Sequence, residues 1–301
     1  MPITRRLIDA YLRHLAENEY RASSTVSGHR AELELLLRRG IPLEPAALAR
    51  HLTWLPAGGE VAATTRNRRL AILRGFVRHL QGLGLLTEDP LAGVKRARVP
   101  RRARAALTAA QLALVVAALL AERPSWRRAR DGTLLLLFFY TGLRLAEAVR
   151  LDIHQVDLQA GVLRAAVRKG GDVTDVVLHP CVAAQLAIWL QVLAPLRGQA
   201  LFPRGNEGRL SRRQVQKRLR ALGIAAGLGV PLHPHLLRHA HATGLLREGV
   251  ATAIIQQSMN HHALATTELY LHGDLGMVRD AVARLPTLPL IGPGRCLKGR
   301  P

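Results

Sequence analysis

Residues 233–246 read HPHLLRHAHATGLL, and the rest of the chain is best understood outward from them. Pro234 suits the first turn of a helix, where a missing N–H leaves no bond unmade. Leu236, Leu237, Leu245 and Leu246 then recur at helical spacing and serve a core. His235 and Arg238 stand three residues apart on one face, the first suited to moving a proton and the second to holding an anion. His235 and His239 also have the spacing of a helical zinc pair, but Leu236 stands where that motif needs its glutamate. No general base is supplied, and a metal site is not expected.

Three further stretches flank this one. Residues 141–151 read TGLRLAEAVRL: Gly142 turns the chain sharply after an apolar helix through Leu134 and Tyr140, and Arg144 opens a new turn with Glu147 three residues on. That spacing puts arginine and carboxylate on one face, which a structural ion pair explains equally well. Residues 260–272 read NHHALATTELYLH, where Thr266 or Thr267 caps a short helix carrying Tyr270, with His261 ahead of it. Among the four tyrosines, Tyr11 and Tyr140 fall in apolar stripes and Tyr20 follows a polar stretch, whereas Tyr270 follows a histidine-rich turn. Lys169 lies in the turn RKGGD (168–172), between strands expected at Val162–Val167 and Val173–Leu178.

The remaining catalytic-half signals are helical. Thr108 with Gln111, and Ser211 with Gln214, form capping boxes, and Pro180 starts another helix. The helix after Ser211 bears Arg212, Arg213, Lys217, Arg218 and Arg220. The first ninety residues are helices throughout. Leu7, Ile8, Tyr11, Leu12 and Leu15 form one stripe, Ser24 or Thr25 caps a second helix running to Gly40, and Leu48, Leu52 and Leu55 mark a third. A fourth opens at Thr64 or Thr65 and buries Leu70, Leu73, Phe76, Val77 and Leu80. Its other face carries Arg66, Arg69, Arg74 and Arg78 without evident carboxylate partners, so phosphate contact is expected. Residues 90–105, PLAGVKRARVPRRARA, hold six basic residues and no acid. They read as an extended linker whose Lys95, Arg96, Arg98, Arg101 and Arg102 lie along phosphates.

Over 301 residues, 43 Lys and Arg against 21 Asp and Glu give a net charge of +22, and 49% of residues are hydrophobic. That much apolar content excludes general disorder, and so large a cationic surplus points to a polyanionic partner. Membrane lipid is the competing polyanion, but the longest apolar run, Leu134 to Tyr140, is far too short to span a bilayer. The N-terminal MPITRRLIDAYLRHL is charged throughout and is not a secretion signal. Cys181 and Cys296 are too few for a disulfide framework. A cytoplasmic protein facing nucleic acid is expected, with a helical domain at 1–89, a basic linker at 90–106, a catalytic domain at 107–285 and a flexible basic tail at 286–301. The fold class is mainly α with a small β-sheet.

Taken in order, Arg144, Lys169, His235-Leu-Leu-Arg238, His261 and Tyr270 resemble the tyrosine recombinase (phage integrase) family, in its Xer-like form. The strings TGLRLAE, HLLRHAHAT and HHALATTELY match its signature boxes over about residues 107–275, and the helical front is similar, less specifically, to the family's core-DNA-binding domain. The resemblance implies Tyr270 as nucleophile, Arg144 and Arg238 as the clasp on the scissile phosphate, and Lys169 as general acid toward the leaving 5′ oxygen. It implies acid/base work for His235, a phosphate hydrogen bond from His261, and support from Glu147 and His239. The family usually has Leu-Gly-His where this chain has Met259-Asn260-His261, and His262 replaces a small polar residue. Asparagine tolerates the left-handed backbone that glycine would adopt there.

The chemistry fits these groups. Attack on a phosphodiester builds charge on non-bridging oxygens, and two guanidinium forks suit them without a metal. The resemblance therefore implies no cofactor, and a 3′-phosphotyrosyl intermediate that a 5′ hydroxyl reverses. It implies double-stranded DNA with inverted half-sites as substrate, bound by a homo-tetramer or a hetero-tetramer with a related recombinase. The apolar stripe Val278, Val282 and Leu285 would then dock on a neighbouring subunit, with packing inside its own subunit as the alternative. A type IB-like topoisomerase and a non-catalytic DNA-binding protein on the same fold are the rival readings. The complete catalytic set argues against the second, and the basic helical front against the first.

Overall fold

The computed structural model describes residues 2–19, 23–56, 58–99, 106–167, 173–194, 198–205, 208–259 and 275–292. The chain divides into two units, Met1–Ala103 and Arg104–Pro301. In the first, α1 (Arg5–Glu17) is capped by Thr4 and buries Ile8, Tyr11, Leu12 and Leu15. Then come α2 (Ser23–Arg38), α3 (Pro45–Thr53) and α4 (Ala63–Gly82). Ala62 occupies the N-cap of α4 with no side-chain bond, so Thr64 and Thr65 lie inside the helix rather than capping it. The expected apolar residues of α4 are all buried, in one core with α1, α2 and α3.

Two expectations for this unit need correction. Arg69 does not face outward: it is 7% exposed, and its Nη1 donates to the carbonyls of His51 (3.1 Å) and Trp54 (2.7 Å). Its Nε lies 3.4 Å from the buried Glu32, which also accepts from His51 Nε2 at 2.7 Å. Its carboxylate partner comes from α2, and an uncompensated arginine here would be costly. Nor is the stretch from residue 90 a free linker throughout. Leu91 is buried in the first unit's core and Val94 packs against it.

In the second unit, the Thr108–Gln111 box caps α5 (Ala109–Ala121). Ser125 caps α6 (Trp126–Thr141), which is buried from Arg128 to Thr141 and forms the centre of the unit. There follow α7 (Leu145–Ala148), β1 (Val156–Asp157), β2 (Val162–Val167) and β3 (Val173–Val177). The strands form an antiparallel sheet in the order β1-β2-β3, with Leu163 opposite Val176 and an irregularity between Leu163 and Ala166. Next are α8 (Pro180–Leu193), α9 (Arg212–Ala225), α10 (Pro234–Arg247), α11 (Thr252–Met259) and α12 (Leu275–Ala283). Both α8 and α10 pack on α6. The mainly helical fold with a small sheet is the one predicted; β1, two residues long, is too short to leave a periodic signal.

The chain end also departs from expectation. Val278 and Val282 of α12 pack within their own subunit against Val177, with Ile254 alongside, and Leu285 enters the main core. Residues 286–292 are not a loose tail. Ile291 is fully buried, its N–H donates to Gln185 Oε1 (2.7 Å), and its carbonyl accepts from Gln185 Nε2 (2.8 Å). Tyr140 donates to the Pro286 carbonyl, His179 Nε2 to that of Leu285 (3.2 Å), and Arg128 Nη2 to that of Gly292 (3.0 Å). The glycines and prolines suggested mobility, but two apolar anchors, Leu288 and Ile291, with side-chain partners for the backbone hold the segment. Among the described residues no helix is long and apolar enough to cross a membrane, and no group of His, Cys, Asp and Glu is placed to hold a metal.

Candidate active site

Gly142 ends α6 in the left-handed conformation (φ 59°), its N–H bonded to the Phe138 carbonyl at 3.1 Å. That turn delivers Arg144 to the start of α7. Glu147, 5% exposed, accepts from the Arg144 backbone N–H at 2.7 Å and from its Nη1 at 3.0 Å. One buried carboxylate thereby orients both the main chain and the head group of Arg144, while 32% of the Arg144 side chain stays exposed.

Arg238 approaches the same turn from α10. Its Nη1 donates to the Gly142 carbonyl and its Nη2 to the Met259 carbonyl at 2.7 Å. A single buried guanidinium therefore ties the turn before Arg144 to the last residue of α11, immediately ahead of the stretch containing His261 and Tyr270. Each of these carbonyls is at a helix end, where acceptors lack an intrahelical donor.

His235 and His239 are exposed on α10, whereas Arg238 is buried. His235 lies at the start of α10 and Arg238 one turn further in, where the Gly142 turn and the end of α11 enclose it. His233 caps α10, its Nδ1 accepting from the Leu236 N–H at 3.0 Å, and its ring lies nearly parallel to that of His235.

One functional candidate escaped the sequence reading. His241 is fully buried beside Gly142, where an added Cβ would come within 2.8 Å of the His241 Cδ2. Neither of its ring nitrogens makes a hydrogen bond among the described residues. Burial pushes its pKa down to about 4; the Phe139 carbonyl opposes this only in part, and the Arg238 charge adds to it. The ring is therefore neutral at ordinary pH and shapes the turn between the two arginines. The signal that finds it is periodicity: Leu237, His241 and Leu245 are four residues apart on the buried face.

Lys169, His261 and Tyr270 lie outside the described residues, as do Arg101 and Arg102. The tyrosines that are described do not compete for the nucleophile's role. Tyr11 is buried against Phe76, its hydroxyl 3.1 Å from His29 Nδ1. Tyr140 is fully buried and stacked on His179, and burial, with Cys181 nearby, pushes its phenol far above the usual range.

The candidate DNA-contacting cations divide into two groups. Arg78, Lys95, Arg96 and Arg98 in the first unit and Arg212, Arg213 and Lys217 on α9 are exposed. Arg66 and Arg74 are half-buried and donate to backbone carbonyls. Arg218, also on α9, faces inward to Glu122 and to Asp131 (2.6 Å), so its role is structural.

Residues 106–275 match the model of the phage integrase family. The chain is 33% identical over 277 residues to tyrosine recombinase XerC of Azotobacter vinelandii, covering 89% of this chain and 91% of that one. It is 31% identical over 290 residues to tyrosine recombinase XerD of Pseudomonas aeruginosa, covering 92% and 96%. Among solved structures it shares the fold of a lambda integrase tetramer bound to a Holliday junction, with a TM-score of 0.66, 19% identity, and 94% and 79% of the two chains covered. The chain belongs to the phage integrase family, a family of tyrosine-type site-specific DNA recombinases.

Proposed function

We propose that this protein exchanges DNA strands through a covalent 3′-phosphotyrosyl intermediate, with Tyr270 as nucleophile and Arg144 and Arg238 on the scissile phosphate. The observation that carries the reading is the Arg238 guanidinium, which joins the Arg144 turn to the residue leading into the Tyr270 stretch. A phosphate seated there meets two permanent cations whose positions are set before DNA arrives, so charge developing during attack is met without rearrangement. Glu147 holds Arg144 in place, and His241 fills the space beneath the turn. Lys169 protonates the leaving 5′ oxygen, His235 takes part in proton transfer at the tyrosine, and His261 bonds the phosphate; His239 supports this set from α10.

The intermediate keeps the phosphodiester's bond energy, so a 5′ hydroxyl from a second strand reverses the step without any cofactor. Two duplexes exchanging both strands need four active sites. Four copies, or two each of this chain and a related recombinase, therefore assemble on inverted half-sites, consistent with the tetrameric lambda integrase that shares the fold.

A nicked suicide substrate tests this. The wild-type chain is expected to form a covalent DNA adduct that resists denaturant, and Tyr270→Phe to form none while still binding DNA. An adduct from the Phe variant would remove Tyr270 from the nucleophile's role. Arg144→Ala should lower the cleavage rate by about a hundredfold or more, with a much smaller effect on binding.

A further inference from the structure

The segment after α4 runs back along that helix, bonded to it at several points. Asp89 Oδ1 accepts from the Leu91 N–H at 2.8 Å, and the Val94 N–H bonds to the Leu91 carbonyl at 3.0 Å, setting the segment's base into the core. Four contacts from α4 then hold the next residues. Arg74 Nη2 donates to the Val94 carbonyl (2.6 Å) and Arg66 Nη1 to that of Lys95 (2.8 Å). Asn67 makes the remaining two, donating from Nδ2 to the Ala97 carbonyl and accepting the Ala97 N–H at Oδ1, each at 2.8 Å. This is the pairing one strand offers another, supplied by a side chain. With Val94 and Ala97 turned to the helix, Lys95, Arg96 and Arg98 stand exposed.

We propose that Asn67 is a positioning residue for DNA binding, pinning Ala97 so that Lys95, Arg96 and Arg98 form a preset rail for duplex phosphates. The inference rests on the DNA-strand-exchange reading above and deepens it. Three like charges on an unpinned chain repel and spread, and ordering each residue costs about 1 kcal/mol or more, which a preformed rail avoids at the moment of binding. Arg66 and Arg74 act here mainly through the backbone they hold. Asn67 is the uncharged member of the clamp, so its contribution separates from simple charge.

The test measures binding of the full-length chain to a mixed-sequence duplex of about 30 base pairs across a range of salt concentrations. Replacing Lys95, Arg96 and Arg98 together by Ala should weaken binding and flatten the salt dependence by about three units of log–log slope. Asn67→Ala keeps every charge. It should weaken binding about fivefold if the rail then holds its bound shape about a fifth of the time, and have no effect in the triple-Ala background. Ala97→Pro removes the N–H that Asn67 accepts and should reproduce the loss, which keeps the test open should Asn67→Ala fold poorly.

A weakened triple variant with wild-type binding by Asn67→Ala and Ala97→Pro would overturn the pin. So would an equal loss from Asn67→Ala with and without the three cations, since Asn67 would then act through the fold alone. Wild-type binding by the triple variant would overturn the rail while leaving strand exchange intact. A wild-type chain that failed to bind the duplex at all would count against the proposed function itself.

Discussion

Gly142 meets two demands that no other residue meets together: a left-handed backbone at φ 59° and a face close enough to touch the His241 ring. Gly142→Ala is expected to destabilise the second unit by about 2 kcal/mol, from backbone strain and the clash at Cδ2 combined. An unchanged midpoint in a urea melt would contradict this. His241 itself makes stability depend on pH. Its folded pKa, about 4, lies below the 6.5 of an exposed histidine. Its contribution is therefore complete above pH 6.5 and is lost as pH falls toward 4, because the unfolded chain takes up a proton that the folded one refuses. The loss reaches about 3 kcal/mol at most. His241→Phe should flatten that part of the stability profile, and a parallel profile for the two proteins would show that the ring titrates normally. Arg144, Arg238 and Glu147 were all legible as types at a spacing. What could not be read is the carbonyl each guanidinium N–H meets, because Gly142 and Met259 lie far from Arg238 in sequence.

Among the elements, those whose local signal holds both partners of an interaction matched the sequence, whereas the single-residue caps expected at Thr64 or Thr65 did not. The boxes at Thr108 and Ser211 are formed as predicted, and β2 and β3 pair antiparallel at Val162–Val167 and Val173–Val177. Each rests on partners a few residues apart, so the sequence pattern contains both halves of the interaction. The chain end departs from expectation for the opposite reason: composition there favours mobility, and the groups that hold it come from α6 and α8. Ile291→Ala is expected to cost about 2–4 kcal/mol, because the cavity opens against Gly132 and Gln185 in a tightly packed core. A near-neutral effect in a denaturant melt would return residues 286–292 to the status of a tail. Just ahead of that segment the Leu285 carbonyl accepts from His179, whose pKa burial pushes down, with this hydrogen bond opposing.

For the whole molecule, two cores with no buried residue in common underlie the two units. Leu36→Ala in the first and Leu137→Ala in the second should each cost about 2–5 kcal/mol. Each should lower a different unfolding transition when followed by hydrogen exchange resolved along the chain, and a single shared shift would mean that the units unfold as one. The sequence by itself determined the family, the mainly helical class, the capping boxes at Thr108 and Ser211, and the pairing of β2 with β3. These depend on residue type, short spacing and periodicity, which a linear chain displays in full. Only the tertiary structure decided that Arg69 belongs to Glu32, that Arg218 belongs to Asp131, that His241 supports the Gly142 turn, and that the last described residues are core. A charge's role is set by whichever group the fold brings opposite it, and that group stands on another element.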